Sequence, residues 1–235
     1  MTGSPGTETT GRDGRGDDYT GHVVPDGPVA VRELRDLTIR KLAVSEMSNN
    51  VYLLTCRATG SQLLIDAADD AHRILEVVGS GGTGLEAVAT THRHWDHVRA
   101  LAEVVAATGA RTIAGEEDAD DLPVPVAQRV GQGDVVRFGQ IALDILHLRG
   151  HTPGSIALAY SDPAGSTHLF TGDSLFPGGA GRTTSPVDFA SLMGDLEARV
   201  FDRYDDATWF YPGHGDDSTL GAERPHLDDW RRRGW

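Results

Sequence analysis

Apolar positions recur along this chain in two batches of short runs, each followed by a helix-like stretch. Leu37–Val44, Val51–Arg57 and Gln62–Asp66 are rich in aliphatic and β-branched residues and closely spaced, which predicts an antiparallel meander. Ala71–Val78 has helical character and is broken by the glycine-rich segment 79–84, after which Leu85–Thr91 reads as a buried strand. Val98, Leu101, Val104 and Val105 then recur at helical spacing and predict a helix over His97–Thr108. The second batch of strands is predicted at Arg111–Ala114, Val135–Phe138, Ile141–Leu148, Ser155–Tyr160 and His168–Thr171. Phe189–Val200 follows as an amphipathic helix, and Thr208–Tyr211 as a last strand. With no repeat of fixed short period, this arrangement suits an α/β domain of two sheets packed face to face with helices outside.

Residues 1–28 lack this periodicity. They consist largely of Gly, Thr, Ser, Pro and Asp, a composition that cannot bury enough surface to offset chain entropy. The expectation is a disordered tail over 1–28 and a single domain over 29–235. Arg15-Gly16-Asp17 resembles an adhesion tripeptide, but so short a match in such a tail reads as coincidence.

Charge and cysteine usage narrow the partners. A net charge of −14 argues against broad binding to nucleic acid or an anionic membrane. It leaves a small anionic substrate open, because bound metal would supply local positive charge. Cys56 is the only cysteine, so no internal disulfide forms and the cytoplasm is the expected compartment. Its strand-like surroundings suggest a buried structural thiol. No apolar run approaches the roughly 20 residues of a bilayer span, and no secretory pattern opens the chain. Lys41 is the only lysine, a bias that fits a GC-rich genome.

The chemistry concentrates in Thr91-His92-Arg93-His94-Trp95-Asp96-His97. Its H-x-H-x-D-H pattern places three imidazoles and a carboxylate, the donors borderline divalent metals prefer, within six positions. One ion rarely needs so many, so a two-metal site is the natural reading. His92 and His94, two apart, point to one side of an extended segment. Asp96 is placed to cap the following helix. Three later turns share a strand, a glycine and a ligand type: Gly150-His151-Thr152-Pro153-Gly154, Thr171-Gly172-Asp173-Ser174 and Pro212-Gly213-His214-Gly215.

Together these motifs resemble the metallo-β-lactamase superfamily, and within it glyoxalase II (hydroxyacylglutathione hydrolase) in its short bacterial form, over about 37–224. The resemblance implies a four-layer αββα sandwich and two divalent ions, zinc first, with iron or manganese as alternatives. It implies that His92, His94 and His151 hold one ion, that Asp96, His97 and His214 hold the other, and that Asp173 bridges them. Asp66 would orient a ligand histidine, and Asn50 would border the substrate. Asp96 and Asp173 are the catalytic candidates.

The implied reaction is attack of a metal-bridging hydroxide on a small thioester. No acid stands ready to protonate a poor leaving group, which favours a thiolate over an amine. Arg182 could meet a substrate carboxylate. Arg224 is a weaker candidate of the same kind, and Arg231-Arg232-Arg233 reads as a solvated end. Glutathione-type enzymes carry a C-terminal helical domain that grips the tripeptide; this chain ends twenty-one residues after His214, which leaves the thiol carrier open. Ser80-Gly81-Gly82-Thr83-Gly84 lacks the lysine of a phosphate loop. Alternatives are a persulfide dioxygenase with one iron on His92, His151 and Asp173, a lactonase or phosphodiesterase, or a binding module without chemistry. The expected partner is a small molecule, with no nucleic acid or membrane.

Overall fold

Alternation with period two sends the side chains of these strands into different cores. A computed structural model describes residues 19–234. Its larger sheet contains β1 (Ala30–Glu33), β2 (Leu37–Val44), β3 (Asn49–Cys56), β4 (Ser61–Ile65), β5 (Gly84–Thr90), β6 (Arg111–Gly115) and β7 (Gln128–Val130), in sequential order. Pairing is antiparallel from β1 to β4, with the predicted meander in β2–β4, and parallel from β4 to β7, so that β6, expected with the second batch, belongs to this sheet instead.

The second sheet is built from β8 (Val135–Phe138), β9 (Ile141–His147), β10 (Ile156–Ser161) and β11 (Thr167–Gly172). After a small hairpin of β12 (Leu175–Phe176) and β13 (Gly179–Ala180), it gains β14 (Trp209–Pro212) and β15 (Ser218–Thr219). Its order is β15-β14-β11-β10-β9-β8, and β14 runs parallel to β11.

Tyr52, Leu54 and Cys56 of β3 enter the core between the sheets, whereas Val51 and Leu53 face helices α1 (Ala71–Gly79) and α2 (Leu101–Thr108). On β10, Ile156, Leu158 and Tyr160 take the inter-sheet core. Ala157 and Ala159 back onto α3 (Pro186–Leu196), α4 (Leu220–Glu223) and α5 (Leu227–Arg233). These are the four layers of an αββα sandwich. No helix among the described residues is long and apolar enough to cross a membrane.

Packing holds the short helices. Nine residues are too few for a stable isolated helix, so α1 depends on burying Ile74 and Val78, at roughly 1.5–3 kcal/mol for each side chain. Asp70 caps it by accepting the Arg73 N–H at 3.1 Å. Ser185 caps α3 through the Asp188 N–H at 3.1 Å, with Pro186 at the first helical position. That cap starts the helix three residues before the expected Phe189.

Two sequence-based expectations are corrected. The helix predicted from His97 begins only at Leu101, because the Arg99 and Ala100 N–H groups donate to Ala68 and Ala67 instead. Residues 95–97 form a single 3-10 turn, and Asp96 caps no helix. The boundary at residue 28 also falls too late. Residues 1–18, with the Arg15-Gly16-Asp17 tripeptide, lie outside the described residues. Residues 19–28 pack against the domain: Tyr19 hydrogen-bonds Asp217, Val23 is buried, and Pro25 bridges Ala43 on β2. Polar contacts anchor this segment, and a reading of apolar periodicity misses those.

Candidate metal centre

The seven candidate ligands meet where parallel strands end, in the crevice beyond their carboxyl ends that suits ligand sites in such sheets. His92, His94, Asp96 and His97 follow β5. His151 sits in the β9–β10 loop, while Asp173 follows β11 and His214 follows β14.

Two groups form. Ligand atoms of His92, His94 and His151 lie within 4.8 Å of one another, as do those of Asp96, His97 and His214. Asp173 stands between them. Its Oδ1 is 3.4 Å from His97 Nε2, an ion-pair distance without hydrogen-bond geometry. Its Oδ2 is 3.5 Å from His214 Nε2 and 3.7 Å from His151 Nε2. These are the seven residues that the sequence motifs supply.

Outer contacts fix the rings. Asp66, at the end of β4 with φ of 57°, accepts the Thr91 N–H and hydroxyl at 2.7 Å each, and faces His97 Nδ1 at 2.9 Å. The Thr91 hydroxyl also lies 3.0 Å from His92 Nδ1. His151 Nδ1 donates to the Arg182 carbonyl at 2.7 Å, and His214 Nδ1 to the Met47 carbonyl at 2.9 Å. In all four rings Nε2 is the nitrogen turned inward. The buried Nε2 atoms of His92 and His151 and Oδ1 of Asp173 have no hydrogen-bond partner. Buried polar atoms are normally paired, so convergent acceptors left without donors fit a cation.

Charge in the cluster is strongly redistributed. Burial holds His92 well below the usual histidine range, with His97 adding to the effect, and burial likewise lowers His94. Burial alone would lower His97, but the Asp173 and Asp66 carboxylates outweigh it and bring its pKa to about 10. Burial would raise Asp173, yet His214 and His97 hold it well below the usual carboxylate range.

The sequence missed several positioning groups. Asn49, not Asn50, reaches the centre: its amide donates to Asp96 Oδ2 at 2.9 Å. Neighbouring strand residues face opposite ways, and Asn50 instead donates to the Pro212 and Gly215 carbonyls at 2.9 Å each. Its expected place beside the substrate is therefore corrected; it braces the His214 turn. Asp118 ties the first motif to the His151 loop, accepting N–H groups of Arg93 at 3.0 Å and Gly154 at 2.9 Å and the Thr152 hydroxyl at 2.5 Å. Nothing in the acidic run 116–121 marks it out.

A cavity of ≈ 390 Å³ opens beside His151 and Asp173, with Phe176, Pro177, Ala180, Arg182 and Arg233 in its wall. The exposed Arg182 thus stands at its rim. Arg233, read from sequence as a solvated end, also reaches it and donates to the Gly178 carbonyl at 3.1 Å. Arg224 lies elsewhere, bonded to Asp206 and to the Phe201 and Tyr204 carbonyls.

Comparison with known proteins gives matches in both sequence and structure. The family model of the metallo-β-lactamase superfamily matches residues 44–214. A hydroxyacylglutathione hydrolase of Jannaschia sp. is 36% identical over 149 residues, covering 63% of this chain and 56% of that protein. Hydroxyacylglutathione hydrolase GloC of Haemophilus influenzae is 30% identical over 182 residues, covering 68% and 83%. The chain spans little more than half the length of the first curated relatives it matches, 55–58%. Among solved structures, ETHE1 from Myxococcus xanthus is 30% identical with a TM-score of 0.72, covering 83% of this chain and 84% of that one. TTHA1623, in a di-iron-bound form, is 29% identical with a TM-score of 0.64, covering 78% and 96%.

Proposed function

The chain belongs to the metallo-β-lactamase superfamily, and from that premise we propose that it is a metal-dependent hydrolase of small thioesters, similar to hydroxyacylglutathione hydrolase. The orientation of four histidines carries the reading: Nδ1 of His92, His97, His151 and His214 is held from outside, and Nε2 faces a shared space. In this assignment His92, His94 and His151 would hold one ion, Asp96, His97 and His214 the other, with Asp173 between. Zinc is the expected ion; iron and manganese accept the same donors. Divalent ions so held supply an activated water and a Lewis acid for a carbonyl.

The chain's own groups do the rest. Asp173 places its carboxylate between the two ligand groups, where it would orient the attacking water. Asp66 keeps His97 Nε2 turned inward, and Asn49 keeps Asp96 in place. The neighbouring cavity receives one arm of the substrate against Phe176, Pro177 and Ala180. Arg182 at the rim is suited to a carboxylate on that arm. Among the described residues the cavity wall carries no carboxylic acid besides Asp173 to assist a poor leaving group, which favours expulsion of a thiolate.

A panel of thioesters, lactones and phosphodiesters tests the proposal, with oxygen uptake measured on a thiol persulfide. Thioester hydrolysis should disappear on chelation and return with added divalent metal. One iron per chain with oxygen consumption would replace this reading by persulfide oxidation on His92, His151 and Asp173. The Asp96, His97 and His214 group, which a single iron would leave idle, favours hydrolysis.

A further inference from the structure

Lys41 is fully buried in β2, and all three of its N–H groups are used. Its ammonium donates to the Gly215 carbonyl at 2.8 Å, the Gly21 carbonyl at 2.6 Å and Asp217 Oδ1 at 2.6 Å. One of these acceptors is adjacent to His214, and another belongs to the segment that precedes the first strand. Asp217 also accepts the Tyr19 hydroxyl at 2.5 Å, and His22 pairs with Asp216 at 2.7 Å. On the opposite side of His214, the Pro212 carbonyl is held by Asn50 at 2.9 Å and Tyr52 at 2.6 Å.

A buried ammonium is costly unless every proton is used, and an apolar side chain of similar length would fill the space at lower cost. Burial lowers the lysine against the pull of Asp217. Core packing therefore does not explain the choice. What an apolar residue could not do is join the His214 turn to residues 19–22, which lie outside the family match at 44–214.

We propose that Lys41 is a positioning residue for the Asp96, His97 and His214 subsite, and that docking of residues 19–22 is thermodynamically linked to ion uptake there. The inference rests on the reading of those three residues as ion ligands. Linkage is reciprocal. If the docked segment raises ion affinity, a bound ion must stabilise the docked segment by the same factor.

Hydrogen–deuterium exchange on the full chain, stripped of metal and then loaded with zinc, reads this directly. Backbone amides of residues 19–24 should exchange roughly 5- to 150-fold more slowly with zinc, the usual range of such couplings. In His214→Ala, zinc should still enter at His92, His94 and His151 but no longer protect the segment. A second variant, Lys41→Met with Asp217→Asn, removes both charges together and leaves no unpaired buried ion. It should stay folded by far-ultraviolet circular dichroism and keep its first-ion affinity while the second ion binds more weakly by that same factor.

A merely structural role predicts otherwise: two zinc ions taken up with unchanged exchange at 19–24, or a double variant with wild-type affinity for both. Either result overturns the role of Lys41 and leaves the metal centre standing. Failure of the native chain to take up zinc at all overturns both.

Discussion

His97 and His214 point their Nε2 atoms at each other across 3.2 Å, while the other nitrogen of each ring is engaged outside the centre by Asp66 and by the Met47 carbonyl. Two imidazole lone pairs at that distance repel each other unless a cation lies between them. A proton can serve in the metal-free protein. A divalent ion serves better, because Asp96 Oδ2 is also 3.3 Å from His214 Nε2 and 3.6 Å from His97 Nε2.

Replacing His92 tests the centre most directly. It is buried, its Nε2 has no partner, and three other imidazole rings lie within 4.8 Å of it by centroid. His92→Ala should lose bound metal and thioester turnover together, the rate falling roughly 1000-fold for about 4 kcal/mol of lost transition-state stabilisation. Elemental analysis alongside the assay checks this, and undiminished turnover would falsify the assignment.

Asp66 acts through others. Its carboxylate orients His97 and, by way of Thr91, His92. Asp66→Asn keeps a residue type that tolerates the positive φ but weakens the acceptor. Zinc affinity, measured by chelator competition, should fall about 10- to 100-fold, and the metal-free protein should melt lower at neutral pH, where Asp66 helps to hold the His97 proton. Wild-type affinity would mean that Asp66 only closes the strand.

Most of the fold was legible because alternation and helical spacing act over the long strands and over α1 and α3. What escaped was short or polar. At only 4 residues, β1 lies at a sheet edge with a half-exposed pattern, and β7 and β15 are shorter still. The residues that meet at the centre were legible because the H-x-H-x-D-H run and the glycine-flanked His151, Asp173 and His214 at strand ends are local signatures. Their supports were not: Asp118, Lys41 and Asn49 act through hydrogen bonds spanning up to 176 positions, and no local pattern encodes such a partner. Asn50 shows the same limit, since being one residue out on a strand reverses the face.

Gly213 lies behind the centre. A Cβ there would come within 2.1 Å of Asp173 Oδ1 and 2.7 Å of His97 Cε1. Gly213→Ala must therefore push the Asp173 carboxylate off its position between the two ligand groups. Metal content should fall below two ions per chain and kcat should drop, while the far-ultraviolet circular dichroism stays native. A variant that keeps both ions and full kcat would show that Asp173 need not sit where it does.

Metal removal should also expose an unusual pH profile. Burial holds His92 below its ordinary value, so the folded protein binds fewer protons there than the unfolded chain. Stability from that group is lost as pH falls below about 6.5. His97 is raised to about 10 despite burial, by Asp173 and Asp66. Its contribution is fully present below about 6.5 and disappears as pH rises toward about 10. Chelator-treated protein should therefore melt highest near pH 6.5 and lose stability on both sides. Zinc displaces the His97 proton, so the loaded protein should lose the alkaline decline, and its apparent affinity should rise about tenfold per pH unit for each proton released. Melting curves from pH 5 to 10, with and without zinc, decide the matter; an alkaline decline that persists unchanged in the loaded protein would place the proton somewhere other than between His97 and its carboxylates.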